Sequence, residues 1–315
     1  MAVSKRLVQR LKILHKTMST IITINRLPLT DNIMNVKTKT LLFYLIPHHF
    51  ISWLSYYLAH ITWAPVKNRF IDLYRYLHPV DLDLAVIKDP YEYTSLNDFF
   101  TRALEPSARP HARGKNTLLC PVDGKVSQAQ AIESGRLFQA KGQDYSLLEL
   151  VGGIKELAEP FENGMFSTIY LSPTDYHRIH MPLAGELTDT VYVPGRLFSV
   201  APWTVENVPR LFARNERVVC KFNTAAGPMI MILVGAINVS AIDTVWGGCE
   251  TPPSGWSVKH RRYQDVKISL KKGAEMGRFN LGSTVILLMG DNVSFDDSIK
   301  PGEVTQMGQA LATFE

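Results

Sequence analysis

The stretch Leu281-Gly282-Ser283-Thr284-Val285-Ile286-Leu287-Leu288-Met289 joins a Gly-Ser bond directly to an apolar run rich in strand-forming residues. This run predicts a buried strand from Thr284 to Met289. Glycine has no Cβ, so the carbonyl of Gly282 can be approached closely and its backbone can be strained at low cost. The hydroxyl of Ser283 could then attack that carbonyl. By itself a Gly-Ser pair before a strand is usually a turn, so self-cleavage here needs further support.

Two upstream stretches supply the groups that such an attack needs. The first contains a carboxylate and is Pro121-Val122-Asp123-Gly124-Lys125-Val126. The second contains two imidazoles and is Asp175-Tyr176-His177-Arg178-Ile179-His180-Met181-Pro182. A hydroxyl is a weak nucleophile until a base takes its proton, and the base needs a third group to hold its tautomer. Together with Ser283, these stretches provide the parts of an Asp-His-Ser relay.

Each stretch alone also has a simpler interpretation. An Asp-Gly pair such as Asp123-Gly124 is typical of a hairpin turn. Two histidines three residues apart are found in metal sites, but the sequence places no third ligand near them, and we predict no metal. Tyr176 is expected to pack in the core. The joint presence of the three stretches is what favours a reactive site.

The three stretches together resemble the phosphatidylserine decarboxylase family, and most of all its short bacterial form. The likeness runs from about residue 94 to about residue 289, and more loosely over the helices before it. It includes four further segments, Tyr192–Val200, Asn207–Val218, Thr244–Trp246 and Glu275–Phe279.

The resemblance implies two reactions at one site. In the first, Ser283 attacks the Gly282 carbonyl, with His180 as the base and Asp123 orienting His180. The chain divides into a β chain (1–282) and an α chain (283–315), and Ser283 becomes an N-terminal pyruvoyl group, the covalent cofactor. In the second, the carbonyl of this group forms a Schiff base with the serine amine of phosphatidylserine and accepts the electrons left when CO2 departs. The product is phosphatidylethanolamine.

A proton must replace the departing CO2, and His177 is the candidate donor, because an imidazole can hold or release a proton near neutral pH. Residues three apart face opposite sides of an extended strand, whereas in a turn or helix they can converge. Pro182 favours a strand end or a turn over a continuing helix. The sequence therefore leaves open how His177 and His180 divide the work.

The basic charge of the chain lies at its N-terminus. The net charge is +5, and residues 1–39 carry eight Lys or Arg and one Asp, which gives +7 and leaves −2 for the remainder. A nucleic-acid-binding fold needs its basic patch on the folded surface, so this distribution argues against that class. It suits a segment held near anionic lipid. The three cysteines form no short-spaced pair, which favours a reducing compartment over a disulfide or zinc framework.

Residues 41–63 contain no Lys, Arg, Asp or Glu. Their length would allow a spanning helix, but Pro47 and three histidines interrupt the run. Apolar residues recur at helical spacing, at Ile51, Leu54, Leu58 and Ile61. We expect a helix lying in the membrane interface, with aromatic side chains at headgroup depth (Trp53, Tyr56, Tyr57 and Trp63), in preference to a spanning or a buried helix. Residues 1–36 are left open between an amphipathic surface helix, a mitochondrial presequence and an extension without a role.

The remaining pattern predicts an α+β fold, with N-terminal membrane-associating helices before a mainly antiparallel β catalytic domain. The predicted regions are a basic N-terminal extension (1–36), a helical membrane-associating region (37–93) and the catalytic domain (94–315). A helix is expected over Lys67–His78, a second begins at Ser95 as its N-cap, and Glu105–Lys115 is a surface loop. Further on, strands are predicted over 166–171, 187–193, 218–222, 229–239, 266–270 and 284–289, and helices over 145–154 and 208–213.

The family resemblance implies a homodimer, peripheral to the cytoplasmic face of the cell inner membrane, that acts on phosphatidylserine in an anionic bilayer. The mitochondrial inner membrane is the alternative location. Acyl chains cost about 0.8 kcal/mol per CH2 to remove from lipid, so the site is expected to open toward residues 41–63. Three other functions remain open: a soluble pyruvoyl decarboxylase of a small amino acid, a serine hydrolase that keeps Ser283 intact, and a non-catalytic membrane-binding module.

Overall fold

A computed structural model describes residue 44 and residues 47–237, 241–251, 256–280 and 282–315. The chain divides into two compact units, Met1–Pro47 and His48–Glu315. Every element named below belongs to the second unit. The predictions for residues 1–36 fall outside the described residues.

In the described part of the chain, three helices precede the strands: α1 (His48–Ala59), α2 (Ala64–Leu77) and α3 (Leu96–Phe100). Helix α2 confirms the helix predicted over Lys67–His78, and Pro79 follows its last residues. Helix α3 begins as predicted, because the Ser95 side chain accepts a hydrogen bond from the Asp98 N–H at 3.1 Å. This cap satisfies one of the free N–H groups at the start of the helix.

Helix α1 buries small residues against the protein body and leaves aromatic rings exposed. Two small polar residues, Ser52 and Ser55, are buried together with Leu58, one of the apolar residues of the predicted repeat. The exposed side carries three aromatic rings, Phe50, Trp53 and Tyr57. Small serine side chains let the helix approach the body, and the exposed rings include Trp53 and Tyr57, two of the residues expected at headgroup depth. Their contact with a membrane stays a prediction. Among the described residues, no helix is long and apolar enough to cross a membrane.

Strands make up most of the remaining described chain. In order they are β1 (Thr117–Leu119), β2 (Gly124–Ala131), β3 (Arg136–Ala140), β4 (Gln143–Ser146), β5 (Met165–Leu171), β6 (Arg178–His180), β7 (Gly185–Val193), β8 (Arg217–Thr224), β9 (Gly227–Val234), β10 (Ala241–Thr244), β11 (Gly248–Thr251), β12 (Lys259–Arg262), β13 (Ser269–Leu270), β14 (Glu275–Asn280), β15 (Ser283–Met289), β16 (Val293–Phe295), β17 (Val304–Thr305) and β18 (Ala310–Phe314). Four short helices lie between them, α4 (Leu147–Leu150), α5 (Lys155–Ala158), α6 (Pro202–Asn207) and α7 (Leu211–Arg214), and a 3-10 turn covers Glu159–Phe161.

Two antiparallel sheets position the site. In the described part of the chain, the larger sheet has the order β12-β7-β8-β9-β15-β5-β2-β17, and β13 also pairs with β7. The second sheet has the order β11-β10-β14-β6. Strand β15 lies between β9 and β5, and all seven of its residues are buried. A strand buried on both faces reads as a continuous apolar run, as this one does.

The structure confirms the predicted α+β class, and it confirms the strands at 166–171, 187–193, 218–222 and 284–289. Strand β9 ends at Val234, earlier than predicted, and residues 238–240 lie outside the described residues. The strand over 266–270 was wrong except for its last two residues. The helix over 145–154 was also wrong at both ends, because Tyr145 belongs to β4 and two glycines with positive φ, Gly152 and Gly153, follow α4.

Candidate active site

Ser283 is the first residue of β15 and is fully buried. Its Cα pairs with Leu171 of β5. Gly282 before it has φ +59°, in the left-handed region, while a Cβ added there would meet no atom within 4 Å. Glycine is therefore required here by the backbone torsion rather than by crowding. Leu281 of the same motif lies outside the described residues.

The Ser283 hydroxyl has no hydrogen-bond partner within the described part of the chain. Most buried polar side-chain atoms in folded proteins have such a partner, because a buried polar atom without a hydrogen bond costs about 1–3 kcal/mol. An unpaired hydroxyl directly after a glycine in the left-handed region is thus an exception that calls for an explanation. Attack on the Gly282 carbonyl is one that uses both features.

Asp123 lies two strands away from Ser283 and one residue beyond the row that contains it. The register of β2 with β5 pairs Lys125 with Tyr170, which puts Gly124 beside Leu171, the partner of Ser283. Neighbouring strands are about 4.8 Å apart, so roughly 10 Å separates the backbones of β2 and β15 in this row. A carboxylate at Asp123 therefore needs an intermediate group to act on the Ser283 hydroxyl. An imidazole is such a group.

The Asp123 carboxylate is fixed by partners from two distant segments. Arg109 Nε donates to its two oxygens at 2.9 and 3.1 Å, and Arg109 Nη2 also donates to Oδ2. The Met307 N–H donates to Oδ1 at 2.8 Å. Bidentate contact with a planar guanidinium fixes the orientation of a carboxylate. Arg109 comes from the segment predicted as a plain surface loop, and no signal in the sequence identified it.

His180 ends β6 and has both ring nitrogens engaged. Its Nδ1–H donates to the Gly273 carbonyl at 2.9 Å, and the Tyr176 hydroxyl donates to Nε2 at 3.0 Å. Burial lowers the pKa of His180, so the ring is neutral near pH 7 and its basic lone pair is at Nε2. Tyr176 is buried, as predicted, but it is also the partner of this lone pair. Its position four residues before His180 is the only sequence signal for that contact.

His177 has a different environment. Its ring is fully buried and stacks on Phe100 of α3, with centroids 4.0 Å apart and planes 24° apart. Nε2 lies 3.0 Å from the Ser172 carbonyl and must carry the proton, because a carbonyl only accepts. Nδ1 therefore holds a lone pair, and no described residue bonds to it. Burial first, and the charge of Arg102 second, lower the pKa of His177 to about 3.

Helix α3 and the residue after it contact both the histidine segment and the strand that leads to Ser283. Asn97 Nδ2 donates to Asn280 Oδ1 at 2.9 Å, at the end of the strand that leads to the Gly-Ser bond. Phe100 stacks on His177, and the Thr101 carbonyl accepts from Arg178 Nε at 2.9 Å. Arg178 in turn pairs with Glu275 of β14 at 3.0 Å. A five-residue helix thus contacts both the histidine segment and the approach to the cleavage site.

The structure brings the predicted residues to one region but does not bond them to one another. Asp123 is engaged by Arg109, His180 is engaged by Tyr176 and Gly273, and the Ser283 hydroxyl has no described partner. Catalytic hydrogen bonds often tighten only in the reactive complex, so this geometry does not exclude the relay. The relay of Asp123, His180 and Ser283 remains a prediction, as does the role of His177.

Other chemistry near the site has little support. Cys120 is buried close to Asp123, and burial raises the pKa of its thiol to about 11, so it is not a thiolate at neutral pH. All three cysteines are free. Among the described residues, no three or more His, Cys, Asp or Glu side chains form a group that could hold a metal ion.

Comparison with known proteins gives consistent matches over most of the chain. The family model described as phosphatidylserine decarboxylase matches residues 96–313, and a second, described as PSD, matches residues 38–74. The chain is 52% identical over 273 residues to the phosphatidylserine decarboxylase proenzyme of Pseudomonas aeruginosa strain LESB58, covering 85% of this chain and 94% of that protein. The proenzymes of Pseudomonas entomophila strain L48 and Pseudomonas putida strain W619 are also 52% identical over 273 residues, covering 85% of this chain and 95% of each relative.

Proposed function

This chain belongs to the phosphatidylserine decarboxylase family, and we propose that it matures by cutting its own Gly282–Ser283 bond. As a member of the family it is a carboxy-lyase that converts phosphatidylserine to phosphatidylethanolamine and CO2. One observation carries the proposal for cleavage. The Ser283 hydroxyl is fully buried and unpaired within the described chain, directly after a glycine in the left-handed region.

In the proposed cleavage, the Ser283 Oγ forms a bond to the Gly282 carbonyl carbon while the peptide C–N bond breaks. His180 takes the hydroxyl proton at Nε2 and returns it to the departing amine, and Asp123 orients His180. Elimination then releases Gly282 as a carboxylate, and hydrolysis of the remaining dehydroalanine at position 283 releases ammonia. His180 must first exchange its hydrogen bond with Tyr176 for one with Ser283, and its hydrogen bond to Gly273 for one with Asp123.

The same residues fit a pyruvoyl group at position 283. Strand β15 is hydrogen-bonded to both β5 and β9, so the new N-terminus stays in place after the chain is cut. Such a group supplies a carbonyl that accepts the electron pair released with CO2.

His177 is the proposed proton carrier for decarboxylation. Its Nδ1 is the one ring nitrogen of the two histidines for which the described residues offer no partner. A proton can therefore be taken up and passed on at this atom without breaking an existing bond, and because the pKa of His177 is about 3 the ring holds that proton only transiently near pH 7. Stacking on Phe100 and the bond to Ser172 fix the plane of the ring.

The exposed side of α1 is the proposed contact with an anionic bilayer. Phe50, Trp53 and Tyr57 lie on this side, and Trp256, whose ring lies 5.5 Å from that of His49, extends the aromatic surface. Aromatic side chains favour the headgroup region, and contiguous exposed apolar surface marks an interaction site. We propose a peripheral enzyme at the cytoplasmic face of the inner membrane, working as a homodimer.

The cleavage proposal is tested by the intact mass of the purified chain beside a Ser283→Ala variant. Self-cleavage predicts a small fragment, residues 283–315, with a blocked N-terminus, which is absent in the variant. Asp123→Asn is expected to slow the appearance of this fragment by roughly 100-fold or more. An active wild-type chain that remains whole would overturn the proposal and favour a serine hydrolase.

The membrane contact is tested by flotation with phosphatidylserine-containing vesicles. Replacing Trp53 and Tyr57 by Ser should weaken binding by roughly tenfold or more, because each ring buries apolar area worth about 25 cal/mol per Å2. Val304→Ser is the control, since this residue of β17 is also apolar and exposed. Equal binding by both variants would show that α1 does not face the lipid.

A further inference from the structure

The turn Ser172–Asp175 carries the carbonyl that holds His177. The Ser172 carbonyl lies 3.0 Å from His177 Nε2 and also accepts from the Asp175 N–H at 3.0 Å. The Asp175 carboxylate closes the turn by accepting from the Ser172 N–H at 2.6 Å. The direction of the Ser172 carbonyl, and with it the His177 ring, therefore depends on the shape of this turn.

Tyr74 of helix α2 fastens the turn from one side. Its buried hydroxyl donates to the Pro173 carbonyl at 2.6 Å. Its ring packs edge-on against Phe100, with centroids 6.0 Å apart, and Phe100 is the ring that stacks on His177. Tyr74 thus contacts both groups that support the His177 ring. One is the turn whose Ser172 carbonyl accepts the hydrogen bond from Nε2, and the other is the Phe100 ring stacked on the imidazole.

Arg102 fastens the turn from the other side. Its Nη2 donates to the carbonyls of Thr174 at 3.0 Å and Asp175 at 3.3 Å. The residue is only 5% exposed, and its Nε and Nη1 have no hydrogen-bond partner among the described residues. A buried guanidinium with unmade hydrogen bonds is a poor way to stabilise a fold. The burial of Arg102 is better explained by its hydrogen bonds to the turn Ser172–Asp175.

We propose that Tyr74 and Arg102 are positioning residues for His177, acting through the turn Ser172–Asp175. The inference rests on the proposed role of His177 in decarboxylation and extends it. Tyr74 belongs to α2, within the region 37–93 predicted to associate with the membrane. That region therefore has a second task, which is to orient a catalytic side chain in the body of the protein.

Tyr74→Phe and Tyr93→Phe form a matched pair of variants. Tyr93 is also buried, packs against Phe99 and donates its hydroxyl to a backbone carbonyl outside the turn (Ile87, 2.7 Å). Both full-length variants should cleave completely by intact mass and show similar shifts in Tm. In detergent micelles containing phosphatidylserine, Tyr74→Phe should lower kcat about tenfold with KM unchanged, and Tyr93→Phe should stay within twofold of the wild type.

Arg102 gives an independent test of the same turn. Arg102→Gln should lower kcat at least as much as Tyr74→Phe, and Arg102→Lys, which keeps a charged donor, should recover part of the loss. Equal kcat in the two tyrosine variants, or equal loss of cleavage and turnover in Tyr74→Phe, would overturn the inference. A His177→Gln variant separates the two proposals. Normal turnover in it would remove the role of His177 itself, whereas loss of turnover with equal tyrosine variants would overturn only the positioning role.

Discussion

His177 and His180 are three residues apart, yet their surroundings differ in almost every respect. The ring of His177 is fully enclosed, stacked on Phe100, and has one nitrogen without a described partner. His180 is half-buried, and both of its nitrogens are engaged. The difference suits the two proposed tasks, because a base used once in maturation and a proton carrier used in every turnover need different environments.

The chain produces this difference by ending a turn and starting a strand between the two residues. His180 pairs with Glu275 inside the second sheet, which directs its ring toward Tyr176 and Gly273. His177 precedes β6, and its ring is directed instead toward the Ser172 turn and α3. Residues three apart along an extended segment face opposite sides, so neither ring needs to share a partner with the other.

The largest effects are expected when one imidazole is removed at a time, which tests whether the two histidines have different roles. His180→Gln should slow cleavage at Gly282–Ser283 by about 100-fold or more, because a general base contributes roughly 10²–10⁴-fold. His177→Gln should cleave completely and then lose decarboxylation by a similar factor. Intact mass followed over time measures the first reaction, and CO2 release from carboxyl-labelled phosphatidylserine measures the second.

The opposite pattern would redistribute the two roles. If His177→Gln also blocks cleavage, then its open Nδ1 is the base for Ser283, and the engaged ring of His180 is structural. Phe100→Leu provides a control, since it keeps both imidazoles and removes only the stacking partner of His177. It should leave cleavage intact and lower turnover by less than His177→Gln does.

The sequence predicted the parts of this arrangement better than their contacts. The strand at Ser283, the N-cap at Ser95 and the α+β class follow from local patterns, because periodicity and capping are properties of short segments. Arg109 could not be found in this way. Its loop contains prolines and a glycine typical of a surface connection, and its contact with Asp123 depends on how distant segments meet.

Helix α1 is a second case in which the sequence predicted an element but not its contacts. Its spacing predicted a helix, but the burial of Ser52 and Ser55 beside Leu58 does not follow from the apolar repeat. Side-chain size decided the face, and a hydropathy pattern does not contain that information. The hydrogen bond from Tyr74 to the Ser172 turn is likewise a contact between segments about 100 residues apart. No local rule predicts it.

A smaller expected effect is the pH dependence of folding stability, which also distinguishes the two histidines. The unfolded imidazole takes up a proton near pH 6.5, whereas folded His177 does so only near pH 3. Between these values the unfolded state binds more protons, so the folded state loses stability as pH falls, by up to about 1.4 kcal/mol per pH unit. Above pH 6.5 both states hold a neutral ring, and His177 contributes no dependence on pH.

The measurement is the free energy of unfolding at pH 7.0 and pH 5.0 in a Ser283→Ala background, where the chain stays whole. Between these values the background should lose about 2 kcal/mol more than the same chain with His177→Gln, since only the former must keep a buried neutral imidazole. His180→Gln should give a smaller difference, because this ring is only half-buried and its bond to Gly273 opposes the lowering of its pKa. If the free energy of unfolding had the same pH dependence in all three chains, the imidazoles of His177 and His180 would be equally hydrated in the folded state. The contrast between the two residues would then lie in hydrogen bonding alone.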